Sequence, residues 1–245
     1  MVMTEYLDSD KYLKERALTS LSLILQNLVR KEYDPVNVAD LGCGDGRGLD
    51  ILKSMLLSNG INIGKFYAVD INPAVKNNID IEIVKTDLNA GSIPIQDGCI
   101  HVAYSMETIE HLLNPKAFIR DVRRILAKDG IFVITTPNIL AWYNRVLFLL
   151  GSLPIHYEVT EGEYMAEDKK YGRLVAAHGN MACHIRVFSS RALTELLKDN
   201  GFEILQTKGL RFILEKENFW ILSFPLRPVS LYLQEKRNYN AINHQ

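Results

Sequence analysis

Three aspartates at the ends of successive apolar segments have the chemistry to bind a nucleoside. Asp40 and Asp70 each close an apolar run, and Asp87 comes shortly after a third run. Each aspartate alone is typical of a turn or a helix cap. Together they would line one edge of a parallel sheet, where the carboxyl ends of strands hold ligands. Asp70 could then accept hydrogen bonds from ribose hydroxyls, Asp87 could accept one from an adenine amine, and Asp40 could meet an ammonium group. Leu88 offers a backbone N–H to the adenine ring.

The first of these aspartates opens a glycine-rich loop, Asp40-Leu41-Gly42-Cys43-Gly44-Asp45-Gly46. Glycine has no Cβ, so it adopts positive φ readily and lets a ligand lie against the backbone. The dinucleotide-binding pattern G-x-G-x-x-G is excluded, because Leu49 stands where the third glycine would be needed. The loop therefore predicts a ligand site of another kind at the end of the first strand.

These residues are positioned by predicted strands that alternate with predicted helices, which implies a parallel sheet with right-handed crossovers. A short helix is also expected to open at Asn72-Pro73, and a helix capped by Asp129-Gly130 precedes the fifth strand. A later helix begins at Ser189 or Ser190. The strands are predicted at 36–41, 65–70, 81–84, 99–104, 131–135, 202–205 and 218–222.

The whole chain is expected to form one domain. At 245 residues with 47% apolar content, it can bury a large core. An apolar helix and a polar, tyrosine-bearing stretch interrupt the strand–helix alternation, and we interpret them as a lid over the site. The predicted parts are an N-terminal helix at 10–31, a cofactor-binding core at 35–137, a lid-like insertion at 138–182, a C-terminal helix and strands at 183–225, and a fraying tail at 226–245.

Charge and cysteine content restrict the class of protein. The formal net charge is −1, so no overall positive field attracts nucleic acid. Cys43, Cys99 and Cys183 form no C-x-x-C pair, which favours a reducing compartment over a disulfide framework or a cysteine zinc site. We see neither a signal peptide nor an apolar run long enough to span a membrane, and we expect a cytoplasmic protein.

Four stretches in order resemble the motifs of class I S-adenosylmethionine-dependent methyltransferases, and most closely the branch that includes ubiquinone-pathway O-methyltransferases. They are the glycine-rich loop, Ala68-Val69-Asp70-Ile71, Thr86-Asp87-Leu88, and Ser105-Met106-Glu107-Thr108-Ile109-Glu110-His111-Leu112. The resemblance covers residues 35–206. Lys128-Asp129-Gly130 stands where such families usually have Pro-Gly-Gly. This departure changes the chemistry of a loop and nothing at the cofactor.

The resemblance implies a Rossmann-like α/β fold with a seven-stranded, mostly parallel sheet and helices on both faces. It implies S-adenosylmethionine as the methyl donor and S-adenosylhomocysteine as the product. The residues expected to contact this cofactor are Asp40, Leu41, Gly42, Cys43, Gly44, Asp45, Asp70, Ile71, Asp87, Leu88, Ser105 and Met106.

His111 is the candidate catalytic residue. A neutral imidazole can accept a proton near neutral pH, and an oxygen nucleophile of high pKa needs such a base. The alternative is a histidine that only shapes the pocket at the start of a helix. His184 could converge on the same site from the returning segment.

Glu107, Glu110, His111 and His184 also have the residue types of a divalent-metal site. Related arrangements bind a metal in some ubiquinone-pathway enzymes and in small-RNA 3′-end 2′-O-methyltransferases, which this segment resembles. In many relatives that look metal-free, however, the carboxylates cap the helix or bond the backbone. Our prediction is a site without a metal.

The expected reaction is methyl transfer to a small-molecule or lipid acceptor, with oxygen as the favoured nucleophile. An RNA ribose 2′-O-methyltransferase and a non-catalytic, cofactor-binding regulator are the alternatives from other classes. The net charge disfavours the first, and aspartates at all three strand ends disfavour the second. No nucleic-acid partner is expected. The sequence leaves open the acceptor, the oligomeric state (a homodimer is possible) and the role of the residues after Pro225.

Overall fold

A seven-stranded sheet organises the residues that the structure, a computed structural model, describes: 9–28, 33–75, 80–154, 157, 184–209 and 229–235. The strands are β1 (Val36–Leu41), β2 (Ile63–Asp70), β3 (Ile81–Lys85), β4 (Ile100–Met106), β5 (Leu126–Thr136), β6 (Phe202–Gly209) and β7 (Val229–Glu235).

The strands lie in the order β3-β2-β1-β4-β5-β7-β6. The first five are parallel, whereas β7 runs antiparallel to both β5 and β6. The carboxyl ends of β1, β2, β3 and β4 therefore meet at one edge. The expected seven-stranded, mostly parallel α/β sheet is confirmed.

Helices cover both faces of this sheet. Helices α1 (Ser9–Leu28) and α2 (Arg47–Ser58) lie on one face and α3 (Pro115–Ile125) lies on the other. Helix α4 (Trp142–Leu149) follows β5 in the chain, and α5 (Ser190–Asp199) lies on the same face as α3. Buried residues of α1 and α2 share a core with Phe66 and Val133, and those of α3 and α5 share another with Val69 and Phe132. Because alternate residues of a strand point to opposite faces, the central strands are apolar on both sides.

Local capping explains where several helices begin. The Asn114 side chain accepts a hydrogen bond from Ala117 N, and Pro115 occupies the first turn of α3, where its missing N–H costs nothing. Of the two serines proposed to cap α5, Ser189 is the one whose hydroxyl accepts from Ala192 N. None of the described helices has the length and apolar character that crossing a membrane requires.

The predicted tail is wrong for the residues of β7. Val229–Glu235 forms a strand between β5 and β6, although the sequence assigned 226–245 to a fraying tail. The physical reason is the alternation of Val229, Leu231 and Leu233, a period of two that suits a strand in the sheet. The strand predicted at 218–222 lies outside the described residues.

Two local predictions also need correction. Helix α3 ends at Ile125 rather than at Asp129-Gly130, because β5 begins at once and absorbs Asp129, whose φ is +60°, in a kink. Ile100 of β4 pairs with Leu126 of β5, and Val102 pairs with Ile131, so β5 advances by five residues where β4 advances by two. The extra residues of β5 accommodate the kink. The helix expected from Asn72-Pro73 is not found in the described residues 71–75, which are irregular.

Candidate active site

The glycine-rich loop passes over the end of β2. The backbone N–H groups of Gly42 and Cys43 both donate to Val69 O, at 2.7 and 3.1 Å. Gly42 has φ +89°, and a Cβ there would lie 2.2 Å from Thr108 Oγ1. Because both the backbone and the space exclude a side chain, this position requires glycine. The loop is thus pressed between β2 and the segment that follows β4.

Asp70 joins the end of β2 to the glycine-rich loop. Its Oδ2 accepts a hydrogen bond from Gly44 N and its Oδ1 accepts one from Asn72 N, each at 2.9 Å. A carboxylate has about four acceptor sites. Two remain after these bonds, so the structural role of Asp70 leaves capacity for two ligand hydroxyls.

Asp40 is the buried member of the three aspartates. Only 3% of it is exposed at the end of β1. Burial, with a smaller contribution from the negative charge of Asp70, raises the pKa of the Asp40 carboxyl to about 7. A buried carboxylate of this kind gains from a nearby cation, which is what an ammonium group supplies.

Asp87 caps the short 3₁₀ turn at Leu88–Ala90. Its Oδ1 accepts from both the backbone N and the side-chain Nδ2 of Asn89, at 2.9 Å each. Because both bonds end on Oδ1, Oδ2 can accept from a ligand. Leu88, the first residue of this turn, is buried.

Three further residues predicted to contact the cofactor, Asp45, Ser105 and Cys43, have well-defined local surroundings. Asp45 accepts from Arg47 N and Nε at the start of α2. The buried Ser105 hydroxyl donates to Leu41 O at 2.8 Å, joining β4 to β1. Burial, and less strongly the charges of Asp40 and Asp70, raises the pKa of the Cys43 thiol to about 12, so this thiol stays protonated. Ile71 is 60% exposed and Met106 is partly buried, both at the same edge of the sheet.

The segment after β4 carries two carboxylates, each bonded to a threonine at the end of β5. Thr135 Oγ1 donates to Glu107 Oε1 at 2.9 Å, and Thr136 Oγ1 donates to Glu110 Oε2 at 3.0 Å. Glu107 has φ +46°, an uncommon backbone conformation for a residue with a side chain. Neither threonine is among the predicted site residues, although polar residues at the carboxyl end of a buried strand are a signal for such a role.

His111 and His184 meet at this segment. Their ring centroids are 4.8 Å apart at an angle of 33°. Glu110 Oε1 lies 4.0 Å from His111 Nε2 and 3.9 Å from His184 Nε2. The predicted convergence of the two histidines is therefore observed.

Residues 184–188, which we call the return strap, bring His184 to this place. The backbone N–H groups of Ile185 and Arg186 both donate to Glu110 O at 2.9 Å, and Ile139 N donates to Phe188 O at 2.9 Å. The strap is thus held at both ends. A cleft beside it is lined by Glu110, Pro137, Ile139, His184, Arg186 and Val187.

The residues suited to a metal form a smaller group than the sequence suggested. Among the described residues, Glu110, His111 and His184 offer ligand atoms within 4.8 Å of one another, and Glu107 lies outside this group. Two imidazoles and one carboxylate are donors that first-row divalent cations accept. The same arrangement also suits proton transfer between a carboxylate-supported imidazole and a substrate hydroxyl.

Comparison with known proteins identifies relatives of this chain. A family model described as "Methyltransferase domain" matches residues 10–207. A probable S-adenosylmethionine-dependent methyltransferase of Mycolicibacterium smegmatis is 24% identical over 178 residues, covering 71% of this chain and 54% of the relative. The chain therefore spans about half the length of that relative. A ubiquinone biosynthesis O-methyltransferase of Rickettsia typhi is 26% identical, covering 86% of this chain and 79% of the relative.

A solved structure agrees in fold. The 1,6-didemethyltoxoflavin-N1-methyltransferase of Burkholderia thailandensis, solved with bound 1,6-didemethyltoxoflavin and S-adenosylhomocysteine, aligns with a TM-score of 0.56 and 16% identity. The alignment covers 96% of this chain and 85% of the other. At this identity the similarity shows a common fold.

The pKa of Asp40 predicts a specific pH dependence of stability. A folded-state pKa of about 7 lies well above the ordinary aspartate value of 3.8 that the unfolded chain has. The folded state therefore holds this proton where the unfolded state has lost it, and stability falls as pH rises towards 7. Asp40→Asn removes the titration. The measured quantity is the free energy of unfolding of Asp40→Asn minus that of the unsubstituted protein. This difference should rise by about 3 kcal/mol between pH 5 and pH 8.

Urea unfolding of both proteins without cofactor, at pH 5 and pH 8, measures this difference. Comparing the two proteins at each pH cancels the titration of all other groups. An equal difference at both pH values would show that Asp40 ionises as an ordinary exposed carboxyl does.

Proposed function

This chain belongs to the methyltransferase-domain family, and from that premise we propose that it transfers the methyl group of S-adenosylmethionine to an oxygen of a small-molecule or lipid acceptor. One observation carries the proposal: the three strand-end aspartates and the Glu110, His111 and His184 group lie along the same edge of the sheet. The aspartates suit binding of the methyl donor. The group of Glu110, His111 and His184 suits an acceptor hydroxyl that must lose its proton.

The aspartates have distinct proposed roles toward the donor. Asp70 accepts from the ribose hydroxyls with its remaining acceptor sites, and Asp87 Oδ2 accepts from the adenine amine. Asp40 stabilises the ammonium group, because its buried charge is otherwise unfavourable. The glycine-rich loop allows the methionine part of the donor to approach the backbone. The other contacts predicted from the sequence, including Ile71, Leu88, Ser105 and Met106, belong to the same proposal.

The transfer itself is an in-line displacement. A lone pair of the acceptor oxygen forms the new bond to the methyl carbon, while the electron pair of the carbon–sulfur bond stays on sulfur and yields S-adenosylhomocysteine. The hydroxyl proton passes to an imidazole, which we assign to His111. Holding oxygen, carbon and sulfur in line supplies much of the acceleration, because it replaces a bimolecular encounter.

The cleft beside the return strap is the proposed acceptor site. Pro137, Ile139 and Val187 give it an apolar wall, and Arg186 adds a positive charge. Helix α4 begins three residues after Ile139 of this cleft and exposes Val146, Phe148 and Leu149. The exposed fraction of Leu149 is 87%. An acceptor with an apolar ring or chain is compatible with these surfaces.

Oxygen is favoured over nitrogen because a proton acceptor adjoins the cleft. A neutral amine attacks with its own lone pair and needs less help from a base, whereas a hydroxyl needs a base within hydrogen-bond reach. The Rickettsia relative is named for O-methylation, and the Burkholderia enzyme is named for N-methylation. A mass-spectrometric screen of cell extract for metabolites that gain one methyl group tests the choice of acceptor.

Loss of Asp87 is expected to weaken cofactor binding. Asp87→Ala removes the acceptor for the adenine amine, so the affinity for S-adenosylhomocysteine should fall by about 1–3 kcal/mol in isothermal titration calorimetry. Asn89→Ala is the control, because it removes the Nδ2 bond to Asp87 and the two bonds to the Asn89 side-chain oxygen from Leu113 N and Asn114 N, yet keeps the Asp87 acceptor. An equal loss in both variants would mean that Asp87 only shapes the turn. No binding by the unsubstituted protein would contradict the enzyme function itself.

Loss of His111 is expected to separate turnover from cofactor binding. With an acceptor from the methyl-gain screen, His111→Ala should lower kcat on the order of 10²-fold or more, because a positioned base contributes about that much. Its affinity for S-adenosylhomocysteine should stay close to that of the unsubstituted protein. A comparable loss in both measurements would assign His111 a structural role.

A cation-assisted reaction is the second candidate mechanism, favoured by the grouping of Glu110, His111 and His184. A divalent cation on these residues would lower the pKa of a coordinated hydroxyl. Our assignment of the base to His111 predicts instead that treatment with EDTA leaves turnover unchanged. Titration with MnCl2, followed by calorimetry and electron paramagnetic resonance, is the companion measurement. If Mn²⁺ binds stoichiometrically and His184→Ala abolishes this binding, the cation and not the His111 imidazole would activate the acceptor hydroxyl.

A further inference from the structure

We propose that Glu110 is the positioning residue of the acceptor side and that Thr136 fixes its carboxylate. Glu110 connects the return strap, which carries His184, to the turn that carries His111. This inference rests on the proposed function, because it takes the imidazole pair as the group that receives the acceptor proton.

The backbone of Glu110 holds the strap. Two consecutive N–H groups, of Ile185 and Arg186, donate to its carbonyl oxygen at 2.9 Å each. A carbonyl oxygen has two lone pairs, so these bonds use both of them. His184 is the residue directly before this attachment, and His111 directly follows Glu110 in the chain. A single carbonyl thereby sets how closely the two imidazoles approach.

The side chain of Glu110 lies beside both imidazoles, of which that of His184 lines the cleft. Only 1% of Glu110 is exposed, and its Oε1 lies within 4.0 Å of the Nε2 atoms of both His111 and His184. Its Oε2 accepts from Thr136 Oγ1. Because this bond fixes the plane of the carboxylate, it keeps Oε1 turned towards both rings.

The chain contains a matched comparison in the neighbouring pair, Glu107 and Thr135. This pair has the same chemistry, with a threonine hydroxyl donating to a carboxylate at 2.9 Å. Thr135 is 1% and Thr136 is 4% exposed, and they are consecutive residues of β5. Glu107, however, lies outside the group that contains the two imidazoles. Thr135 Oγ1 also accepts from Glu107 N at 3.3 Å, so Thr135→Val removes this bond as well as the one to Glu107 Oε1 and is a strict control for Thr136→Val. The two pairs should differ in their effects on the histidines.

The test compares Thr136→Val with Thr135→Val, and Glu110→Gln with Glu107→Gln, in the full-length protein. The readout is the imidazole Cε1–H signals of His111 and His184 in carbon–proton correlation spectra, assigned with His111→Gln and His184→Gln. Thr136→Val and Glu110→Gln should move both signals, whereas Thr135→Val and Glu107→Gln should leave them in place. Thr136→Ser, which keeps the hydroxyl, should retain the original spectrum.

Activity supplies a second measurement once the screen has identified an acceptor. Thr136→Val should lower kcat by up to about 10²-fold, the scale of a misplaced catalytic group, with little change in the KM for S-adenosylmethionine. Thr136→Ser should recover most of this loss.

Two results would overturn the positioning role: imidazole signals that stay in place in Thr136→Val, or signals that Thr135→Val moves as far. Should Glu110→Gln fail to fold, Thr136→Val, which changes little in volume, decides the matter alone. The affinity of the unsubstituted protein for S-adenosylhomocysteine is measured in parallel. Absence of that binding would contradict the proposed function, whereas the imidazole comparison tests only the positioning.

Discussion

A carboxylate buried at the end of β1 is the constraint around which the cofactor side of the protein is arranged. Asp40 is almost fully covered and has the charge of Asp70 nearby, so burial and repulsion both oppose its ionisation. Such an arrangement costs stability in the empty protein and becomes favourable when a cation arrives. Two residues later the loop requires a glycine, because a Cβ at Gly42 would collide with the Thr108 side chain. The cofactor loop and the segment after β4 are consequently shaped together.

The ends of β4 and β5 organise the acceptor side in a comparable manner. Thr135 and Thr136 hold the two carboxylates that follow β4, and the Glu110 carbonyl holds the return strap. The two sides are linked through Asn89, whose side-chain oxygen accepts from Leu113 N at 2.7 Å and from Asn114 N at 3.3 Å. Hydrogen bonds therefore run from the turn beside Asp87 to the segment that carries His111. In the proposed reaction this continuity would give donor and acceptor a common support, which in-line transfer requires.

The relatives share the fold more closely than the acceptor. One is named for an oxygen acceptor and a solved structure is named for a nitrogen acceptor, at identities between 16% and 26%. Such variety is expected, because function resides in sites that a common fold supports. In this chain the cleft is lined by Ile139 of the predicted insertion and by residues on both sides of it. The greater part of that insertion lies outside the described residues. The lid interpretation of 138–182 therefore remains a prediction.

The sequence by itself determined the five parallel strands, the glycine-rich loop and the three strand-end aspartates, because these follow from local periodicity and from residue types at fixed spacing. Only the tertiary structure decided that His184 stacks near His111, that Thr136 bonds Glu110 while Thr135 bonds Glu107, and that β7 lies between β5 and β6. Each of these joins residues distant in the chain, and no local pattern encodes such a pairing. The Val229, Leu231 and Leu233 alternation could have indicated a strand, but its neighbours are set by the sheet as a whole.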